Sequence, residues 1–134
     1  MRTKIANPDL EYYMGKLQPD YESTAQAKIG RMMDEYAIPF FYKQPLLVWE
    51  NGRRRIKRPD FTLPTYNNTV IEYVPLRDEA AKRDSHLYRQ NNITALFLKD
   101  SDLANPNWQQ RLYEKLEEIY HRPRSLLVDS YQPN

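Results

Sequence analysis

The dipeptide Asn51-Gly52 is the strongest local constraint on how this chain folds. Both residues tolerate the positive φ angles of a type I′ turn, which joins the two antiparallel strands of a hairpin. The flanking runs, Phe40 to Glu50 and Arg53 to Leu63, have the length and residue types of strands. A turn-forming cluster at 64–68 then leads into Thr69 to Val74, a run rich in β-branched and aromatic residues. The pattern therefore predicts a three-stranded antiparallel meander.

Helical patterns lie on both sides of this meander. Residues 21–37 have an apolar stripe behind a capping Ser23, and residues 77–91 also have helical periodicity. The short apolar run Ile93 to Leu98 predicts a strand buried between helices, which pairs in parallel with Thr69 to Val74 through a right-handed crossover. A last helix follows. The predicted fold class is α/β, with a mixed central sheet flanked by helices.

The chain length of 134 residues fits a single domain. Asn105 is predicted to cap the last helix, Pro106 to open it, and Pro123 to follow its end. We therefore expect an N-terminal arm at residues 1–20, a core domain at 21–122 and a C-terminal segment at 123–134. Within that last segment, Leu126 to Asp129 is either a short edge strand or part of a tail.

The composition excludes several kinds of site. The chain has no cysteine, which excludes disulfides, thiolate zinc sites and cysteine nucleophiles, and its two histidines argue against a His-rich metal centre. No apolar run approaches the length of a membrane span, and the N-terminus lacks the apolar core of a signal peptide. We therefore expect a cytoplasmic, intracellular protein with no membrane partner.

Two carboxylates, Asp60 and Glu72, are the candidate chemical centre. Adjacent strands would bring them to neighbouring positions, and Glu72 interrupts a strand that is otherwise apolar and aromatic. Carboxylates at short distance repel each other, and a cation between them allows both to stay ionised. Oxygen ligands suit a hard divalent ion, so Mg²⁺ or Mn²⁺ is the expected cofactor.

With Pro59-Asp60 on one strand and Glu72 on the next, the segment PDFTLP…VIEY resembles the PD-(D/E)xK nuclease superfamily. It looks most like the branch that contains phage Holliday-junction resolvases and very-short-patch-repair-type endonucleases. The resemblance covers about residues 21–120, because the predicted order of elements also agrees. It implies a restriction-endonuclease-like αβββαβ core and a metal-dependent DNA endonuclease.

The resemblance also implies a role for individual residues. Asp60, Glu72 and the backbone carbonyl of Tyr73 would bind the metal. Val74 stands at the position of the family's lysine and carries neither a charge nor a hydrogen-bond donor. Lys82, on the following helix, is the candidate to replace that charge.

Gln26 is the remaining candidate in the catalytic group. The first helix of the resembled family has a glutamate that contacts the metal or its water, and Gln26 stands at the matching position with an oxygen ligand but no charge. Glu22 lies four residues earlier on the same helical face. It either substitutes for that glutamate or is a solvated residue near the helix start, and we favour the solvated interpretation.

Two groups of basic residues are candidates for binding nucleic acid. The first group directly precedes the acidic centre and consists of Arg53, Arg54, Arg55, Lys57 and Arg58. The second group is a row on the helix after the acidic strand and consists of Lys82, His86 and Arg89. Either group can meet phosphates. The alternatives are an edge strand whose charges discourage aggregation and a helix face that contacts only water.

Three functions remain open from the sequence. The first is a DNA endonuclease that acts on branched or junction DNA. The second is a nuclease-like module that has lost cleavage and binds nucleic acid or serves in an assembly. The third is a structural domain in which Asp60 caps a turn and Glu72 pairs with an arginine. A homodimer is expected if the substrate is a junction, because cutting a branch takes two sites.

Overall fold

The computed structural model describes residues 18–75 and 80–122. Most of the predicted arm, the start of the second helix at 77–79 and all of the segment 123–134 lie outside these ranges. The elements, in chain order, are α1 (Thr24–Glu35), β1 (Phe41–Tyr42), β2 (Leu46–Glu50), β3 (Arg53–Lys57), β4 (Phe61–Leu63), a 3₁₀ turn (Pro64–Tyr66), β5 (Thr69–Val74), α2 (Ala80–Gln90), β6 (Ala95–Lys99), α3 (Asp100–Leu103) and α4 (Trp108–His121).

The central sheet is mixed and has the strand order β1-β4-β5-β6. Strand β4 runs antiparallel to both β1 and β5, whereas β6 runs parallel to β5. The parallel pair is joined through α2, as a crossover connection requires. The predicted mixed α/β architecture and the parallel pairing of the last strand are therefore confirmed.

The long hairpin predicted around Asn51-Gly52 is divided into two parts. Its base, β1 and β4, belongs to the central sheet, and its outer part, β2 and β3, forms a separate two-stranded sheet that we call the ribbon. Both residues of the turn have positive φ, 52° at Asn51 and 75° at Gly52, as a type I′ turn demands.

The break between the two parts has a local cause. The pairing of Tyr42 with Phe61 and of Leu46 with Lys57 belongs to one continuous register, so no residue is inserted between the sheets. Within the break lie two prolines, at 45 and 59, neither of which can donate a ladder hydrogen bond. Lys43 also adopts a left-handed conformation with φ of 56°, which turns the chain out of the sheet. The predicted unbroken strands were wrong at this point.

Helices pack on both faces of the central sheet. Ile29 and Met33 of α1 and Leu116 of α4 share a buried cluster with Phe61 and Ile71 of the sheet. Because successive side chains of a strand point to opposite faces, Glu72 points away from this cluster. There it meets Tyr88 of α2. The polar centre therefore lies on the α2 side of the sheet.

Several boundaries differ from the sequence prediction. Ser23 caps α1 as predicted, because its hydroxyl accepts a hydrogen bond from the backbone N–H of Gln26 at 3.1 Å. In α4 the N-cap is Asn107, because Asn105 instead closes a preceding turn through its side-chain oxygen and backbone carbonyl. The short helix α3 lies between β6 and α4 and was not predicted. Strand β6 is half-buried rather than enclosed, since it lies last in the sheet as described.

Candidate functional site

Asp60 and Glu72 lie side by side, as the sequence predicts. The register that pairs Phe61 with Ile71 places Asp60 opposite Glu72, and the Asp60 amide donates a 2.8 Å hydrogen bond to Oε1 of Glu72. Both side chains are largely buried, the residues being 4% and 8% exposed. They line an open cavity of about 370 Å³ between α1, α2 and the point where the hairpin divides. The two acids are thus held together by backbone geometry and remain accessible to a ligand.

The carboxylate of Asp60 is held by three donors. Its Oδ1 accepts from the side-chain amide of Gln26 at 2.9 Å and lies 2.8 Å from the ammonium of Lys43, while its Oδ2 accepts from the Tyr73 amide at 2.7 Å. Gln26 is buried, and its own oxygen accepts a hydrogen bond from the Tyr42 hydroxyl at 2.9 Å. The side-chain nitrogen of Gln26 therefore orients Asp60, and the side-chain oxygen of Gln26 is already hydrogen-bonded to Tyr42.

Lys43 is a central residue of the site that the sequence did not suggest. Its ammonium bridges Asp60 and the exposed carboxylate of Glu22, the latter at 3.1 Å. Burial by itself lowers the pKa of Lys43, but its hydrogen bonds to Asp60 and Glu22 outweigh that effect and raise the pKa above its ordinary value. A non-glycine residue in the left-handed region is unusual, and here that conformation lies at the candidate site. Glu22, interpreted as solvated, is exposed but takes part in this bridge.

Glu72 has a second set of partners. Its Oε2 accepts a 2.5 Å hydrogen bond from the Tyr88 hydroxyl and lies 3.9 Å from the ammonium of Lys57. Burial raises the pKa of Glu72, and the negative charge of Asp60 raises it further, although the bonds from Tyr88 and the Asp60 amide oppose the shift. Lys57 also forms a 3.0 Å ion pair with Asp84 of α2. Each of the two central acids therefore has one lysine close to it.

Val74 and Tyr73 occupy the places expected of them on β5. Val74 is buried and lines the same cavity as Glu72 without offering a polar group. The Tyr73 hydroxyl donates to Asp100 at 2.7 Å, on the other side of the sheet, whereas its backbone amide faces Asp60. Because the N–H and C=O of one strand residue point the same way, the Tyr73 carbonyl is directed to the side of β5 on which Asp60 lies.

The basic residues singled out in the sequence are distributed over different surfaces. Lys57 and Arg58 line the cavity, and Arg58 donates to the Lys43 carbonyl at 3.2 Å. The other three residues of that group lie exposed on the ribbon and do not line the cavity: Arg53, Arg54 and Arg55.

The basic row on α2 is likewise outside the site. Its three residues, Lys82, His86 and Arg89, are exposed and are absent from the cavity wall, to which α2 contributes Ala81 and Asp84. The structure therefore brings Lys57, and not Lys82, next to the acids.

The donor set suits a magnesium-type ion. Mg²⁺ is usually held by one or two carboxylates together with waters and substrate phosphates, and Asp60, Glu72 and the Tyr73 carbonyl supply hard oxygen atoms of that kind. Within residues 18–75 and 80–122, no group of three or more His, Cys, Asp and Glu side chains is placed to hold a metal. A divalent ion on Asp60 would have to compete with the ammonium of Lys43, which lies on the same carboxylate oxygen as the Gln26 amide.

Comparison with known proteins adds no relative. No family model matches this chain, no curated protein is significantly similar to it, and no solved structure matches it. Across the described ranges, no helix combines the length and apolar character needed to cross a membrane.

Sequence reasoning missed Lys43, Asp84 and the role of Tyr88. The only local signal for Lys43 was the Lys43-Gln44-Pro45 interruption of an apolar strand, which marks a break but does not indicate a contact with Asp60. Asp84 lies on a helix that is rich in charges, so nothing in its neighbourhood distinguishes it from a solvated residue.

Proposed function

We propose that this protein is a metal-dependent endonuclease of the restriction-endonuclease-like type, which hydrolyses phosphodiester bonds in DNA. The observation that carries the proposal is the placement of Asp60 and Glu72 together in an open cavity, with the Lys57 ammonium 3.9 Å from Glu72. Two acids and a lysine in one cavity form the donor set that the resemblance to PD-(D/E)xK nucleases calls for. Here the lysine comes from β3 instead of from the position of Val74.

In this proposal Asp60, Glu72 and the Tyr73 carbonyl would hold Mg²⁺ or Mn²⁺. When bound there, the ion would supply Lewis-acid chemistry for the hydrolysis of the phosphodiester. Gln26 keeps the Asp60 carboxylate in position through its amide nitrogen. Lys57 supplies a positive charge beside Glu72 and donates to a phosphate oxygen or to the attacking water. Arg58, on the cavity wall, binds a neighbouring phosphate.

A second candidate function is a nuclease-like module that binds nucleic acid without cutting it. The favouring observation is that each acid already has an ammonium partner, Lys43 for Asp60 and Lys57 for Glu72, so the paired charges do not need a metal to be stable. Under this alternative, Lys43 permanently occupies the place of the metal. The two functions differ in whether a divalent ion displaces Lys43 from Asp60.

The first test is cleavage of supercoiled plasmid and of a four-way DNA junction in Mg²⁺ and in Mn²⁺. Asp60→Asn and Glu72→Gln are expected to lose at least about 10²-fold in rate, the usual minimum effect of removing a positioned acid-base or metal-binding group. Glu114→Gln, which changes an exposed carboxylate on α4, is the matched control and should cut like the wild type. Cutting that survives in both site variants would come from a contaminant and would refute the proposal.

A second test follows the metal without relying on activity. Mn²⁺ that binds only the folded state raises the melting temperature, and at a fixed Mn²⁺ concentration the rise grows with the logarithm of its affinity. Lys43→Met should increase this rise, because it removes the competing cation, and Asp60→Asn should abolish it. If Mn²⁺ shifts neither the wild type nor Lys43→Met, while junction DNA still binds, the endonuclease proposal falls and the binding module remains. Sedimentation with junction DNA would also show whether two copies bind one junction, as two cuts require.

A further inference from the structure

The outer face of the ribbon carries an unusual concentration of exposed apolar side chains. Leu47, Trp49 and Ile56 are each more than half exposed. Cross-strand pairing sets Trp49 opposite Arg54 and Leu47 opposite Ile56, so these four side chains share one face. The Arg54 guanidinium lies 5.5 Å from the centre of the Trp49 ring. An exposed tryptophan beside an arginine, flanked by aliphatic residues, forms a flat surface available for a ligand.

The ribbon is fixed to the rest of the domain by contacts with α2 and the residue that follows it. The backbone of Trp49 donates to Oδ1 of Asn91 at 2.8 Å and accepts from Nδ2 of Asn91 at 2.9 Å, an amide clamp at the end of α2. Val48, on the inner face, is fully buried, and Lys57 at the end of β3 is tied to Asp84. The inner face is therefore anchored to α2, and the outer face is presented to solvent in a defined orientation.

The charge of this surface selects among ligands. The segment from Leu46 to Arg58 carries five basic residues and a single acid, Glu50, and is therefore strongly positive. Arg54 lies on the outer face, whereas Glu50 lies on the inner face and is paired there with Arg55 at 2.6 Å. No acid is present on the outer face. Two copies of such a ribbon would repel each other, whereas a polyanion would be attracted. Aromatic surfaces in a positively charged setting bind unpaired bases by stacking, while the cations bind the backbone.

We propose that the outer face of the ribbon binds unpaired bases of a nucleic acid, with Trp49 stacking on a base and Arg54 contacting a phosphate. The proposal rests on the proposed function in so far as it takes nucleic acid as the ligand. It adds the substrate class, which is DNA containing a single-stranded stretch, such as a flap or an opened branch point. Fully paired duplex offers no free base to Trp49.

The position of the ribbon relative to the acids fits this substrate. Strand β3 runs from the outer surface towards the site, where Lys57 meets Glu72. Lys57 follows Arg54 by three residue steps, or about 10 Å of extended strand. That length corresponds to about three nucleotides at the spacing of one strand of B-DNA. Unpaired bases held on the ribbon would thus leave the nearby backbone within reach of Asp60 and Glu72.

The experiment measures binding in EDTA, so that cleavage plays no part. Fluorescein-labelled single-stranded oligonucleotide, a three-way junction with a single-stranded arm and a fully paired blunt-ended duplex are titrated, and affinity is read from anisotropy. Trp49→Ala should weaken binding of the first two by about 5- to 150-fold, the range for loss of one base-aromatic stack, and leave binding of the duplex unchanged. Tyr120→Ala, which removes an equally exposed aromatic ring from α4, is the matched control and should change nothing.

Intrinsic fluorescence gives an independent readout. Of the two tryptophans, Trp49 is 52% exposed and Trp108 is 7% exposed, so quenching by oligonucleotide should come from Trp49 and vanish in Trp49→Ala. Equal affinity of wild type and Trp49→Ala for the single strand would overturn the inference, even if the enzyme cuts plasmid. A loss of self-association in Trp49→Ala, with unchanged DNA binding, would also overturn it and make the face a contact between copies. Stacking that persists in a protein without nuclease activity would support the inference while refuting the endonuclease.

Discussion

Replacing Lys43 by methionine should destabilise the fold far more than an ordinary surface substitution. The Lys43 ammonium lies 2.8 Å from Asp60, whose side chain is 6% exposed, and at an effective dielectric constant of about 20 the attraction is about 6 kcal/mol before desolvation is subtracted. Removing one partner of a fully buried pair costs about 3–5 kcal/mol. Lys43 is one-third exposed, and Asp60 keeps donors from Gln26 and Tyr73, so we expect a loss of about 2–4 kcal/mol. Residue 43 has the same positive φ in the wild type and in Lys43→Met, so its backbone strain does not contribute to the difference in their free energies of unfolding.

Urea denaturation in EDTA at neutral pH measures this loss as a shift of the midpoint at constant slope. A double-mutant cycle with Asp60→Asn shows the cause of this loss, because neutralising Asp60 removes the negative charge that Lys43→Met leaves without its lysine partner. The double variant should therefore be more stable, by about 1–3 kcal/mol, than the sum of the single losses predicts. Lys115→Met is the control: its 3.8 Å pair with Glu118 is exposed, and its loss should stay below about 1 kcal/mol. Additive single losses, or equal losses in the two lysine variants, would refute the argument.

Three further predictions concern stability. Because the pKa of Glu72 is raised in the folded protein, the folded state holds the Glu72 proton more tightly than the unfolded chain does. The contribution of Glu72 to the free energy of unfolding therefore falls as the pH rises from about 4.5 through the raised pKa. Glu72→Gln should flatten that part of the pH–stability curve in urea titrations; an unchanged slope would contradict it. Ala37 has φ of 55°, so Ala37→Gly should stabilise the protein by about 0.5–1 kcal/mol, whereas Ala27→Gly, inside α1, should cost about 1 kcal/mol. Gly30→Ala should destabilise by about 1–3 kcal/mol in thermal melts, because the new methyl would overlap the Tyr21 ring; a gain in stability would show that the ring moves freely.

Local chemistry explains the parts of the fold that were predictable. Ser23 caps α1 because its hydroxyl meets the Gln26 amide three residues later, and the Asn51-Gly52 turn forms because both residues accept positive φ. The short spacing between Asp60 and Glu72, on strands joined by one tight connection, placed the two acids opposite each other. These outcomes depend on residues close together in sequence, so propensity and spacing suffice to predict them.

Only the tertiary structure decided which cations meet the acids. Lys43 reaches Asp60 because a left-handed residue and two prolines divide the hairpin, and Lys57 reaches Glu72 because the ribbon is anchored on α2 through Asp84 and Asn91. Lys82, the first cation within α2, is exposed and lies outside the cavity instead. The sequence does not show which carboxylate a lysine will pair with, because its ion pairs depend on how segments that are distant in sequence are brought together. The sequence by itself therefore determined the pair of acids and the order of elements, and three-dimensional packing determined the electrostatic environment in which those acids act.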